Sequence, residues 1–155
     1  REAAETFVRL LELPGNQAAV VSYAETASVV QVLTDDRSAL ERAIAGLVNT
    51  QGTRIDRGIQ ASVGELTSPR HRRVNRPVLV LLSDGKQIDE PETALAWAAS
   101  ARASGIALFT IALGDDADRA PLLAMAGEPE HAYYAPGPAD LVRIYRTVAG
   151  AVRCR

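Results

Sequence analysis

Three features of the sequence predict an α/β sandwich built on a mostly parallel sheet. The first is a pair of near-continuous apolar runs, Val78-Leu79-Val80-Leu81-Leu82 and Ile106 to Leu113, the composition of parallel strands covered on both faces. The second is that each run is followed by a polar turn and a helical stretch, the βα alternation of layered folds. The third is a Val-rich pair of segments, Ala18 to Tyr23 and Ser28 to Leu33, joined across Glu25-Thr26 as an antiparallel hairpin.

The remaining elements follow in order. Ala3, Ala4, Phe7, Val8 and Leu11 recur at three-and-four spacing, which predicts an opening helix ended by Pro14-Gly15-Asn16. Ser38 and Glu41 read as a capping box ahead of Leu40, Ala43, Ile44 and Leu47. A further helix carries Ile55, Ile59, Val63 and Leu66 on one stripe, and the segment from Ser68 to Pro77 breaks the pattern. Pro91 starts an Ala-rich helix closed by Gly105, and a short helix around Leu122 and Met125 ends at Gly127. A short strand at His131 to Tyr134 precedes a last helix with Leu141, Ile144, Tyr145, Val148 and Val152. In such folds a strand normally feeds each helix, so the opening helix predicts a strand upstream of Arg1. The chain is therefore expected to be one domain over 1–155, incomplete at its amino end.

Composition narrows the function classes. With 155 residues, 47% of them hydrophobic, the chain can bury a real core. A formal charge of -2 gives no overall field toward nucleic acid or an anionic membrane, and no nucleic-acid partner is expected. The longest apolar run, about eight residues, falls far short of the roughly 20 that span a bilayer. The opening Arg1-Glu2-Ala3-Ala4-Glu5 does not read as a secretory leader. The single Cys154 permits neither an intrachain disulfide nor a Cys-based zinc site. The preference for Arg over Lys, with abundant Ala, is a compositional association with bacterial origin.

Ligands of open α/β sheets bind beyond the carboxyl ends of the strands. Ser83-Asp84-Gly85 places a carboxylate there, either as a turn made of good turn residues or as a ligand-binding group. Gly52-Thr53-Arg54-Ile55-Asp56-Arg57-Gly58 places a threonine at a helix start, where its hydroxyl either caps the helix or faces a ligand. Asp56 beside Asp84 suggests paired carboxylates, although solvent or the helix dipole accounts for Asp56. Asp115, Asp116 and Asp118 read as helix-start residues rather than a calcium cluster. Arg70-His71-Arg72-Arg73-Val74-Asn75-Arg76 reads as a solvated loop, since no aromatic residues interleave with it. His71 and His131 have no ligand spacing, and Tyr133 and Tyr134, near the rim, either pack in the core or shape a partner surface. Lys86 is either a partner contact or a solvated charge. No nucleophile elbow, dinucleotide fingerprint, phosphate loop or His-Glu-x-x-His motif occurs, so no enzyme is expected.

Taken together, the opening helix, the Val-rich hairpin, Gly-Thr-x-x-x-x-Gly, Val-Leu-Val-Leu-Leu-Ser-Asp-Gly and Ile-Ala-Leu-Gly-Asp-Asp-Ala-Asp resemble the von Willebrand factor type A family. That resemblance implies a Rossmann-like three-layer sandwich with one antiparallel edge strand. It also implies a metal-ion-dependent adhesion site formed by an Asp-x-Ser-x-Ser turn after the first strand, a later Thr and an Asp after the fourth strand. Thr53 and Asp84 match the last two parts, and the first would lie upstream of Arg1. The implied function is a protein-interaction module binding Mg2+, or Mn2+ or Ca2+, through which an acidic residue of a partner is held. A nucleotide- or phosphate-binding domain and a metal-free association module are the alternatives. A cell-envelope or extracellular setting is expected. Without its upstream strand, the sheet is expected to close by strand rearrangement or by self-association with another copy.

Overall fold

A computed structural model describes residues 2–48, 51–84 and 89–152. The elements are α1 (Glu2–Leu10), β1 (Ala18–Tyr23), β2 (Ala27–Thr34), α2 (Arg37–Ala45), α3 (Ile55–Leu66), β3 (Val78–Ser83), α4 (Pro91–Ala103), β4 (Ala107–Leu113), α5 (Arg119–Ala126), β5 (Ala132–Ala135) and α6 (Pro138–Val152). The expected order is observed throughout, with two local corrections. The cap of α2 is Asp36, whose carboxylate accepts from the Ala39 N–H, so Ser38 lies inside the helix. His131 belongs to a short 3-10 turn, and the final strand begins one residue later.

Alternation along the strands sorts the helices into two layers. Leu79 and Leu81 of β3 pack with Leu108 of β4 against α3, α4 and α5, through residues such as Ile59, Ala98 and Met125. Val78, Val80 and Leu82 point the other way, packing with Phe109 and Ile111 against α6 and against Phe7 of α1. On that same side Val8 of α1 meets Leu40 and Ile44 of α2 beneath Ala18 and Val20. The result is the predicted three-layer α/β/α sandwich.

The strands form two ladders. β1 pairs antiparallel with β2, from Ala18 opposite Thr34 to Tyr23 opposite Ala27, while β3, β4 and β5 pair in parallel, Val78 opposite Ala107 and Thr110 opposite Ala132. No ladder joins β1 to β3 among the described residues. Their relative direction is nevertheless fixed by contacts at both ends. At the carboxyl rim the Tyr23 hydroxyl donates to the Leu82 carbonyl at 2.6 Å. At the amino rim Asn75 Nδ2 donates to the Gly15 carbonyl at 3.0 Å, and the Arg72 N–H donates to Gln17 Oε1 at 3.0 Å. β1 and β3 thus run the same way at the same level, as two halves of one sheet ordered β2-β1-gap-β3-β4-β5.

The gap is a cleft of about 750 Å³ walled by β1 and β3, with Phe7, Leu11 and Tyr145 among its apolar lining. The strands have not rearranged to close it. Helices bridge the halves instead: Phe7 of α1 stacks on Tyr145 of α6 at 4.9 Å between ring centres, while its neighbour Val8 packs on α2. On the opposite face α3 touches β1, β2 and β3. Burial pushes the Tyr23 phenol up to about 12, so its hydroxyl remains a donor to Leu82 across the neutral range.

Candidate functional site

Both predicted site residues open on the carboxyl-rim end of this cleft. Asp84 directly follows β3 and is exposed, while Gly85 and Lys86 lie outside the described residues, as does Cys154. Thr53 sits in the loop before α3, and its position is set by backbone contacts on two sides. Gly52 has φ +101, and a Cβ there would fall 2.6 Å from the Glu25 nitrogen in the hairpin turn, so only glycine fits. The next residue but one, Arg54, donates its N–H to the Ala24 carbonyl at 2.9 Å, anchoring the loop to the same turn. On the other side the Thr53 N–H donates to Asp89 Oδ2 at 3.2 Å, and the Asp89 N–H donates back to the Thr53 carbonyl at 3.3 Å.

The capping alternative for Thr53 is not what the structure adopts. The cap position of α3 is Arg54, whose side chain makes no capping hydrogen bond. Gly58, six residues after Gly52, is needed for packing, since a Cβ would come within 2.9 Å of the Tyr23 ring. The two glycines of the motif therefore press the start of α3 onto the hairpin.

Of the two accounts the sequence offers for Asp56, the structure places it in the first turn of α3, as the dipole favours, and not in solvent. It is 4% exposed and held by Arg54 through Nε and Nη2 at 2.9 and 2.7 Å, hydrogen bonds that keep its carboxyl below the ordinary range. A carboxylate so committed is a structural counter-charge, which removes the paired acid/base reading with Asp84. Asp89 is the rim residue that sequence reasoning missed. Standing two residues before Pro91, it reads as an ordinary helix-start acid, and only the fold brings it to Thr53.

Other candidates resolve as follows. Asp118 caps α5 by accepting from the Ala120 N–H at 3.2 Å, and Asp115 accepts from the Tyr134 hydroxyl, over whose ring the Arg119 guanidinium sits at 3.3 Å. Tyr133 stacks near Phe109 in the core, whereas Tyr134 makes the polar contacts just described. The basic run is not simply solvated. Arg70 forks onto buried Glu65 at 2.8 and 2.7 Å, and Arg72 reaches Asp35 at 2.6 Å. His71 lines the cleft at its amino-rim end, with Nε2 buried and without a hydrogen-bond partner among the described residues. No group of three or more His, Cys, Asp or Glu that could hold a metal occurs among the described residues, and no helix there is long and apolar enough to cross a membrane.

No curated protein sequence matches this chain. Solved structures do. Proximal thread matrix protein 1 from the mussel byssus is 22% identical with a TM-score of 0.81, over 97% of this chain and 39% of that one. Another structure of the same mussel protein is described with a zinc-occupied MIDAS motif. A von Willebrand factor type A protein from Catenulispora acidiphila is 22% identical with a TM-score of 0.80, over 96% of this chain and 36% of that one. The vWF domain of the type V pili tip protein Mfa5 from Porphyromonas gingivalis is 15% identical with a TM-score of 0.84, over 99% of this chain and 88% of that domain. The chain thus spans well under half the length of the mussel and Catenulispora proteins. At these identities the likeness establishes the fold, and a family model supplies the rest, matching residues 1–147. The chain belongs to the von Willebrand factor type A domain family.

Proposed function

We propose that this chain is the body of a non-enzymatic protein-interaction module whose carboxyl rim holds a divalent cation, Mg2+ or a substitute such as Mn2+ or Ca2+, and that the cation binds an acidic residue of a partner protein. One observation carries this reading: a hydroxyl residue, Thr53, and a carboxylate, Asp84, come from distant segments to the mouth of one cleft at the strand ends. Hydroxyl and carboxylate oxygens are the donors a hard cation takes. Their chemistry fits and their number falls short, since Mg2+ takes near-octahedral coordination and two protein oxygens do not hold it firmly.

The remaining donors are assigned to an Asp-x-Ser-x-Ser turn upstream of Arg1, following a strand in the gap. The direction of α1 supports this. Its last turn lies at the amino rim, where Arg37 donates to the Val8 and Leu11 carbonyls at 2.6 and 3.0 Å shortly before the chain enters β1. Its first turn is therefore toward the carboxyl rim, where a strand parallel to β1 and β3 would end and turn into it. The cation supplies a partly neutralised Lewis-acidic centre for a partner carboxylate, and Thr53 and Asp84 hold it at the rim. A metal-free association module is the second reading, favoured by the shortage of ligands among the described residues.

Calorimetric titration with Mg2+ and Mn2+ tests the proposal in a form extended upstream to include the turn. Saturable binding at one site is expected, with Asp84→Ala and Thr53→Ala each weakening it at least tenfold. Undiminished cation binding by Asp84→Ala, or partner binding unchanged by chelator, would overturn the metal reading in favour of the second.

A further inference from the structure

Thr53 brings a hydroxyl to the carboxyl rim, and the contacts that hold it there run through its backbone. Its N–H donates to Asp89 Oδ2 at 3.2 Å, and its carbonyl accepts from the Asp89 N–H at 3.3 Å and from the Ile55 N–H at 2.9 Å. The hydroxyl itself makes no hydrogen bond among the described residues. Asp89 therefore grips the peptide groups on both sides of the Thr53 Cα and leaves the side chain uncommitted. Thr53 and Asp84 line the cleft mouth, whereas Asp89 is not among the lining residues.

The backbone around Asp89 points to the same arrangement. An acid two residues before Pro91 ordinarily serves the start of its own helix, α4. Here the next residue, Glu90, has φ 54 and ψ 55, a left-handed conformation that an L side chain adopts only at a cost. Glu90 is the one non-glycine residue with positive φ among the described residues, and its side chain makes no capping hydrogen bond. The Asp89 carboxylate is spent on the loop before α3 and not on α4. Arg54, already bound to Asp56, also attracts the charges of Asp89 and Glu90, so the Asp89 carboxylate has a counter-charge beside α3. Behind this junction α3 and α4 pack together through Ile55, Ile59, Ala94 and Ala98.

We infer that Asp89 is the positioning residue for Thr53: it holds the Thr53 peptide so that the hydroxyl stays at the cleft mouth for the cation, which Asp89 does not itself bind. The inference rests on the proposed cation site for what the hydroxyl meets, and on the hydrogen bonds alone for what holds it. Groups that orient a ligand from behind set metal affinity, because the metal rewards only the correct geometry. Binding free energies are reciprocal, so a cation that takes the aimed hydroxyl also tightens the clamp and steadies the start of α4.

The test uses the chain extended upstream to include the Asp-x-Ser-x-Ser turn. Asp89→Ala removes the acceptor of the Thr53 N–H, whereas Asp89→Asn keeps an acceptor oxygen and drops the charge. Calorimetric titration with Mg2+ is expected to show about tenfold weaker binding by Asp89→Ala and binding within about threefold of the parent by Asp89→Asn. Combined with Thr53→Ala, Asp89→Ala is expected to cost less than about a further twofold, since no hydroxyl remains to be aimed. In chelator, amide exchange at Thr53, followed by NMR, is expected to quicken about fivefold in Asp89→Ala and to stay near the parent rate in Asp89→Asn. Bound Mg2+ is expected to slow exchange of the Asp89 amide in the parent. Equal losses in Asp89→Ala and Asp89→Asn would make the charge, and so a direct ligand, the cause, and would overturn the inference. So would a tenfold loss undiminished in the Thr53→Ala background, Thr53 exchange unaltered in Asp89→Ala, or Asp89 exchange indifferent to bound Mg2+. If Asp89→Ala fails to fold, Asp89→Asn decides, with near-parent affinity upholding the inference and a tenfold loss overturning it. A parent that binds no Mg2+ defeats the cation reading alone, and Thr53 exchange in chelator then decides whether Asp89 positions Thr53.

Discussion

Replacing Gly52 by Ala is expected to destabilise the fold by about 3 kcal/mol and to loosen the Thr53 loop. Two costs combine. At φ +101 an L side chain is strained by about 1–3 kcal/mol. The added Cβ would also lie 2.6 Å from the Glu25 nitrogen and 3.0 Å from the Ala24 carbonyl carbon, backbone that cannot rotate aside. Moving the loop away stretches the Arg54 to Ala24 hydrogen bond and draws Thr53 from Asp89. Gly64→Ala is the matched control, since its Cβ would meet nothing within 4 Å in the interior of α3 and should stabilise by about 0.5–1 kcal/mol. Urea unfolding of both variants measures the pair, and a Gly52→Ala cost below about 1 kcal/mol would show that the loop is not pinned to the hairpin.

The same contrast between local and long-range information decides what was readable in the sequence. Val78 to Leu82 and Ile106 to Leu113 declare themselves as covered parallel strands because burial on both faces leaves them almost wholly apolar, the one polar residue, Thr110, donating its hydroxyl to the Leu122 carbonyl. The rim position of Thr53 and Asp84 is legible because one stands in a Gly-Thr turn before a helix and the other directly follows an apolar strand. Local pattern does not distinguish Asp36 from Ser38 as the cap, because the Ser38/Glu41 pair fits a capping box two residues later. Asp56 does lie in the first turn of its helix, where the dipole favours it, but nothing in the sequence marks its burial or its fork onto Arg54. Asp89 and His71 could not be found at all. One meets Thr53 across 36 residues and the other lines a cleft that exists only once β1 and β3 have been placed.

Arg70 lies in the same loop as the amino-rim contacts of Arg72 and Asn75, and Arg70→Ala is expected to lower stability at neutral pH and to do so much less in acid. Glu65, with its side chain 4% exposed, accepts from the Leu33 N–H at 2.8 Å and from Arg70, and so joins α3 to β2 and to the loop that carries His71 and Arg72. Arg70 itself is half exposed, so its own desolvation is small and the pair is worth less than a fully buried one. Removing the guanidinium leaves a buried carboxylate with one backbone donor. The pH dependence follows from the direction of the shift. Hydrogen bonds from Arg70 hold Glu65 below its ordinary value of 4.5, so their stabilisation is complete above that value and is lost as pH falls through it toward the folded pKa. In the variant the Arg70 hydrogen bonds that lower the Glu65 carboxyl are gone, burial is opposed only by the Leu33 N–H, and less stability is lost on protonation. Denaturant unfolding at pH 7 and pH 3 should therefore show the two proteins converging in acid, and a constant difference between them would assign the role of Arg70 to packing of its stem. The loop is the floor of the cleft, so the variant should also speed hydrogen exchange at Ala18 to Val20 and at Val78, ahead of any change at the carboxyl rim where Tyr23 still holds Leu82.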